Sequence, residues 1–338
     1  MERHAHGART AASLSLNMLC AIGIAVATPT VVPTVRLTNG VLPGALIDMP
    51  ILAAGTAGYK GSNATAAVER AITAGFTHLH TAFDYFNLVD IGKALQKTPR
   101  NHVFVSSMTS PCQHGAPPQR NVTDLAACHN LTINEGKAVI KSLGLEYLDL
   151  LMLHGPSEPF GHSGGCSALA CQLNAVQWHA YLELLRSGLV KSIGVSNFCQ
   201  SCLACLGSSG AVDTPAVNQI QVHVGQGSAD PGGGLLSYNA KRGIVVQSYE
   251  PLAGGDLAKD ADCARIGRVH NRTAAQVALR WVLDRVPSLA VRAGTTAHLL
   301  SDLDALDFTL SATDLALLDQ KSGPPGEAGG RCSWGCTM

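Results

Sequence analysis

Eight short apolar, β-rich runs lie near residues 50–54, 76–80, 102–107, 148–153, 190–194, 215–221, 244–248 and 288–292, and longer helical patterns separate them. No other feature constrains the chain as tightly. Between the runs, Ala175 to Ser187 carries Val176, Ala180 and Leu184 at four-residue spacing with Gly188 placed to stop the helix, and Thr273 to Leu283 reads the same way. Strands alternating with helices predict an α/β protein with a parallel sheet, and eight units without a strong internal linker predict a TIM (β/α)8 barrel. The working residues then belong at the C-terminal ends of strands or in the loops just after them. The alternative, an open doubly wound sheet, lacks a G-x-G-x-x-G after the first strand. A length of 338 residues suits one such barrel.

Charge excludes some partners. Lys plus Arg and Asp plus Glu both total 24, so the net charge is zero, and nothing resembles the basic stripe that nucleic acid demands. Residues 1–28 begin with Arg3 and Arg9, continue through an apolar run from Ala11 to Ala27, and end in Ala25, Val26 and Ala27, the order of a signal peptide. A membrane anchor or an organelle transit segment is the alternative, so membrane contact is expected only if this leader stays uncleaved. Without Cys20 ten cysteines remain, enough to pair completely in an oxidising compartment. Connectivity does not follow from sequence; the pairs expected are Cys112 with Cys128 and Cys166 with Cys171. Asn-x-Thr acceptor sites at Asn63, Asn121, Asn130 and Asn271 fit the same secretory or extracellular route and a glycoprotein. The run Cys199, Cys202, Cys205 could suggest a metal, but no fourth cysteine completes it, and disulfides or a helix face are the plainer reading.

The organisation expected is a leader over 1–28, a barrel domain over 33–320 and a Gly/Pro-rich tail over 321–338 that could cover the barrel mouth, tethered by Cys332 or Cys336. Two long insertions, Thr109 to Asn130 and Ser157 to Asn174, follow the third and fourth strands and should rise over that mouth.

The strand ends also carry a specific pattern. His78-Leu-His-Thr-Ala-Phe-Asp-Tyr85-Phe-Asn87 resembles the aldo-keto reductase signature H-x-D-T-A-x-x-Y-x-N. Further matches are Leu150-Leu-Met-Leu-His154-Gly-Pro156, Gly194-Val-Ser196-Asn197-Phe198, Val217-Asn218-Gln219, Tyr249-x-Pro251-Leu252 and Ala278-Leu-Arg-Trp281, with Arg36-Leu-Thr-Asn-Gly40 resembling the family's N-terminal hairpin. The resemblance covers roughly residues 33 to 320. It implies reduction of a small-molecule aldehyde or ketone by hydride from NADPH, with Tyr85 as proton donor and His154 orienting the carbonyl. It further implies that Ser196, Asn197 and Gln219 grip the nicotinamide carboxamide, that Tyr249 stacks on its ring and that Arg292 binds the 2′-phosphate, in a monomer or loose assembly.

Half of the family's catalytic set is replaced. His80 stands at the Asp position and Met108 at the Lys position, so the charge that would help a phenol of ordinary pKa about 10 release its proton is missing. Losing both members is coherent, because one left alone would be a buried unpaired charge costing about 3–5 kcal/mol. Two consequences compete: Tyr85 has lost its tuning and the chain is a slow enzyme or a noncatalytic barrel that binds a small molecule or nucleotide, or a protonated His80 acts as the missing cation. A metal held by His80, His154 and His223 has the right residue types but no spacing rule behind it. His298, Ser301 and Asp302 fall where the family tends to have Arg, Glu and Asn, which predicts a weakened adenosine site.

Overall fold

The computed structural model describes residues 31–114, 119–157, 166–207, 212–226, 234–292 and 294–321. Eight strands close into one parallel barrel: β1 Leu52–Gly55, β2 His78–His80, β3 Phe104–Thr109, β4 Leu150–Leu153, β5 Ile193–Ser196, β6 Val217–Gln221, β7 Val245–Tyr249 and β8 Ser288–Val291. Neighbours in the barrel are neighbours in sequence, and β8 returns to β1 with Leu289 opposite Leu52 and Val291 opposite Ala54. Some sequence runs begin early: Val190 makes only an isolated bridge to Leu148, and regular pairing of β5 starts at Ile193. The leader, Cys332, Cys336 and the tail beyond 321 lie outside the described residues.

The connecting helices form because their apolar faces have a barrel to cover and their ends are capped. These are α1 Gly61–Ala74, α2 Leu88–Leu95, α3 Leu125–Leu143, α4 Ala168–Arg186, α5 Gln200–Ala204, α6 Leu235–Lys241, α7 Ala261–His270, α8 Ala274–Leu283, α9 Thr296–Leu303 and α10 Ala312–Asp319. Thr273 and Gln276 make a reciprocal capping box at the start of α8. α4 starts well before the sequence pattern suggests, because Ser167 accepts from the Ala170 amide and caps it. No helix among the described residues is long and apolar enough to cross a membrane.

An antiparallel hairpin, Thr34–Leu37 with Ile47–Pro50, closes the N-terminal end of the barrel. Leu37, Val41 and Met49 pack there against Phe104, Leu150, Val217 and Val245. Gly40 permits the approach: its φ is +57°, and a Cβ would lie 2.4 Å from the Ile193 carbonyl oxygen and 2.6 Å from the Ala216 amide. The Ile193 amide donates to the Gly40 carbonyl at 2.8 Å.

The insertion after β3 is shorter than expected, since α3 begins at Leu125 under the Asp124 cap. What precedes it is a small antiparallel ribbon, Gln113–His114 with Arg120–Asn121, and the Cys112–Cys128 disulfide fastens it to α3. Buried Gln177 of α4 anchors this loop and the next one: it accepts from the Cys112 amide at 3.2 Å and the Ser157 hydroxyl at 2.7 Å, and donates to the Ser110 carbonyl and the Thr132 hydroxyl. Residues 158–165 of the second insertion lie outside the described residues.

The pairing of Cys166 with Cys171 does not occur. Cys166 bonds Cys202 and Cys171 bonds Cys205, because a spacing of three puts Cys202 and Cys205 on one side of α5, facing the start of α4. All three members of the C-x-x-C-x-x-C run, Cys199 included, are therefore in disulfides rather than at a metal. Complete pairing of the ten cysteines is not realised either: Cys263 is a buried free thiol on α7, raised to about 12 chiefly by burial.

Peptide mapping of the unreduced protein should recover Cys166–Cys202 and Cys171–Cys205 links, and a Cys166–Cys171 link would refute this register. Gly40→Ala should lower urea-denaturation stability by more than the about 1–2 kcal/mol that a left-handed alanine costs by itself, whereas Gly44→Ala, with φ +80° and nothing within 4 Å, should lose no more than that.

Candidate active site

At the C-terminal ends of the strands opens a cleft of about 700 Å³, within the usual range for ligand sites. All eight residues singled out from the sequence, Tyr85, His154, His80, Ser196, Asn197, Gln219, Tyr249 and Arg292, line it. They reach it from six strands and the turns after them. Asn87 sets one wall: its amide donates to the carbonyls of Thr56 and Tyr59 and its oxygen accepts from Thr81, tying the β1 and β2 loops together.

Tyr85 ends a one-turn 3-10 helix, Phe83–Tyr85, and its ring meets the His154 ring edge to face at 5.7 Å. Burial, followed by the charges of Asp84 and Glu250, pushes its hydroxyl well above the ordinary phenol range. It stays protonated. His154, just past β4, holds Asp84 through Nδ1 at 3.0 Å from Oδ1 and 2.9 Å from Oδ2. Burial opposes ionisation of Asp84, but the hydrogen bond and charge of His154 prevail and hold the carboxyl below its usual range. Asp84 was not singled out from the sequence. Its signal was there: a carboxylate beside the signature tyrosine, where the pattern leaves the residue type open.

Met108 is fully buried and packs with Ala82, Phe104 and Met152, with Tyr85 against this cluster. The position opposite the phenol is thus apolar. His80 is buried too, and burial, then the charges of His78 and His154, pushes it down to about 3. The expectation that a protonated His80 supplies the missing cation is therefore not met: the imidazole is neutral.

Its hydrogen bonds explain how a neutral histidine fits. The Pro50 carbonyl can only accept, so His78 Nδ1 carries the ring proton and donates to it at 3.0 Å, leaving Nε2 to accept from the Ser106 hydroxyl at 2.8 Å. Ser106 Oγ then accepts from His80 Nδ1 at 3.0 Å, and His80 Nε2 faces the Gln219 amide nitrogen at 3.4 Å. Gln219 donates onward to Gln247 at 2.6 Å, Gln247 to Ser288 at 2.9 Å, and Ser288 to the Ile51 carbonyl at 2.9 Å. This buried circuit starts and ends on adjacent carbonyls and links β2, β3, β6, β7 and β8. His223 takes no part in it; its Nδ1 donates to the Val224 carbonyl at 2.9 Å.

Ser196 donates to the Gln219 carbonyl, and Asn197 donates to the His154 carbonyl and to Ser196 while accepting from the Tyr249 hydroxyl at 2.8 Å. Asn197 pays for this position with a left-handed φ of +61°, and Glu250 has +48°; strain of this kind gathers at ligand sites. With both Gln219 amide hydrogens engaged, its carbonyl oxygen is the group able to accept from a ligand amide. Arg292 donates through Nε to the Ala57 carbonyl at 2.7 Å and lies over the Tyr59 ring, and a Cβ on Gly58 would sit 3.1 Å from its Nη2. An amide acceptor at one end and a braced guanidinium at the other fit a nicotinamide dinucleotide. Against it stand the exposed Glu250 and Asp302, which is 8% exposed and which burial raises to about 7.

Comparison with known proteins gives the same direction. The profile of the Aldo/keto reductase family matches residues 52–322. An aldo-keto reductase of Mycolicibacterium vanbaalenii is 31% identical over 274 residues, covering 80% of this chain and 88% of that protein. One from Mycolicibacterium paratuberculosis is 31% identical over 268 residues, covering 78% and 84%. Among solved structures, the aldo/keto reductase of Brucella melitensis superposes with a TM-score of 0.69 at 28% identity over 85% of this chain and 98% of that one.

Because His78 and His80 fold to about 4 and about 3 while an unfolded imidazole titrates near 6.5, the unfolded state binds more protons below neutrality. Stability should be full above about pH 6.5 and fall as pH drops, by about 2 kcal/mol per histidine between pH 7 and 5. Chemical denaturation of wild type against His80→Gln across that range should show the smaller slope in the variant; equal slopes would contradict a neutral His80.

Proposed function

Since the chain belongs to the aldo-keto reductase family, we propose that it is an oxidoreductase that reduces a small-molecule aldehyde or ketone with NADPH. NADPH would supply the hydride. Tyr85 gives its hydroxyl proton to the carbonyl oxygen, and His154, in ring contact with Tyr85 at the same end of the cleft, orients that oxygen. The observation that carries this reading is the convergence of Tyr85 and His154 with Ser196, Asn197, Gln219 and Tyr249 on one cleft. Gln219 and Asn197 would hold the carboxamide, Tyr249 the ring face and Arg292 the 2′-phosphate, which favours NADPH over NADH.

A second reading rests on Met108. An apolar plug where a cation would assist the phenol makes the proton costly to release, and a noncatalytic barrel that binds a nucleotide or small molecule needs none. We further propose a secretory or extracellular location. The leader motivates it, and the Cys112–Cys128, Cys166–Cys202 and Cys171–Cys205 disulfides with exposed Asn63, Asn121, Asn130 and Asn271 support it.

Titration of NADPH into the purified protein, followed by its fluorescence, should show saturable binding, and its absence would end the reductase reading. With binding established, turnover of a broad aldehyde panel between about pH 5 and 8 should fall about 10²–10⁴-fold in kcat in Tyr85→Phe, with NADPH affinity preserved. Binding without turnover of any aldehyde would favour the noncatalytic reading.

A further inference from the structure

We propose that Asp84 is a positioning residue that keeps His154 in its imidazolium form beside Tyr85, so that the Asp84–His154 pair supplies the positive charge that the Met108 position no longer can. The inference deepens the reductase reading, and its rate measurement rests on that reading; its geometry does not.

Both Asp84 oxygens converge on one ring nitrogen, at 3.0 and 2.9 Å, with the His154 and Asp84 side chains only 13% and 15% exposed. The carboxylate cannot drift away. Asp84 and Tyr85 are consecutive residues of one short 3-10 turn, which Phe86 closes at φ +54° and which Asn87 ties to the neighbouring loops. Consequently the carboxylate and the phenol meet the same imidazole, one through Nδ1 and the other through its ring, edge to face at 5.7 Å.

Consider the charges with and without the His154 proton. Unprotonated, the imidazole leaves a bare carboxylate next to Tyr85, and that charge opposes loss of the hydroxyl proton. Protonated, the pair is neutral overall and turns its positive member toward the phenol. A phenolate forming as the Tyr85 O–H bond breaks and the alcohol O–H bond forms is then stabilised where it arises. Among the described residues no other group around these rings does this. His80 is neutral on β2. His114, on the ribbon after β3, is held down by burial and by Arg120. Arg120 is itself paired with Glu135. Lys60 spends its ammonium on the Tyr85 backbone carbonyl and the Phe86 ring, and Glu250 adds only negative charge.

The sign of the pH dependence follows. Activity that needs the imidazolium is highest at low pH and falls as pH rises. Asp84→Asn keeps the shape and a hydrogen-bond acceptor but removes the anion, so the falling limb of kcat should move about 1–3 pH units lower, with KM for the carbonyl little changed. Nitrogen NMR of the His154 ring, in wild type and Asp84→Asn without cofactor or substrate, should show its titration midpoint fall by the same amount. An unshifted NMR midpoint overturns the inference whatever the activity. A shifted midpoint with an unmoved kcat limb, in protein that binds and turns over NADPH, overturns the link to Tyr85. If NADPH neither binds nor turns over, the reductase reading fails, while the NMR shift still decides the charged pair.

Discussion

Closure of the parallel barrel is the constraint on which everything else depends. Strand β8 pairs with β1 across more than two hundred residues of chain, and Ser288 seals the junction by donating to the Ile51 carbonyl. A parallel sheet closed on itself has no exposed edge, and it gathers eight strand ends at one rim. Tyr85, His154, Gln219 and Arg292 are far apart in sequence and lie in one cleft for that reason alone. The other end is plugged by the hairpin through its close approach at Gly40, and the described cleft lies at the C-terminal rim.

Inside the barrel, polarity has been rearranged rather than lost. Where the family resemblance leads one to expect an Asp and a Lys, the interior holds two neutral histidines, Ser106, Gln219, Gln247 and Ser288 in a nearly saturated circuit, with Met108 in the apolar cluster beside it. A buried neutral chain with its donors matched to acceptors avoids the desolvation that an ion pair must overcome. A carboxylate–imidazole pair, Asp84 with His154, stands nearer the rim instead, where partial exposure lowers that penalty. Protection of the core and provision of charge are thus assigned to different layers.

Much of this was legible beforehand. Eight strand positions follow from runs such as Leu150–Leu153, because a strand covered on both faces reads as a largely apolar run. The site residues were legible through motif order, and the loss of the charged pair through His80 and Met108. Others were hidden. Asp84 occupies a position whose residue type the signature leaves open, so only its distance to His154 marks it out. His80 reads as a cation in one dimension because imidazole titrates near neutrality; its burial decides otherwise. Cys166 and Cys171 are close in sequence, yet α4 begins at Ala168 and turns them toward α5.

By itself the sequence determined the α/β barrel, its strand order and the residues at the rim, since these follow from periodicity and local residue type. Only the tertiary structure decided the protonation of His80, the partner of His154 and the pairing of the cysteines. Those depend on desolvation and on distances between segments remote in the chain, and neither is a property of any stretch of residues read alone.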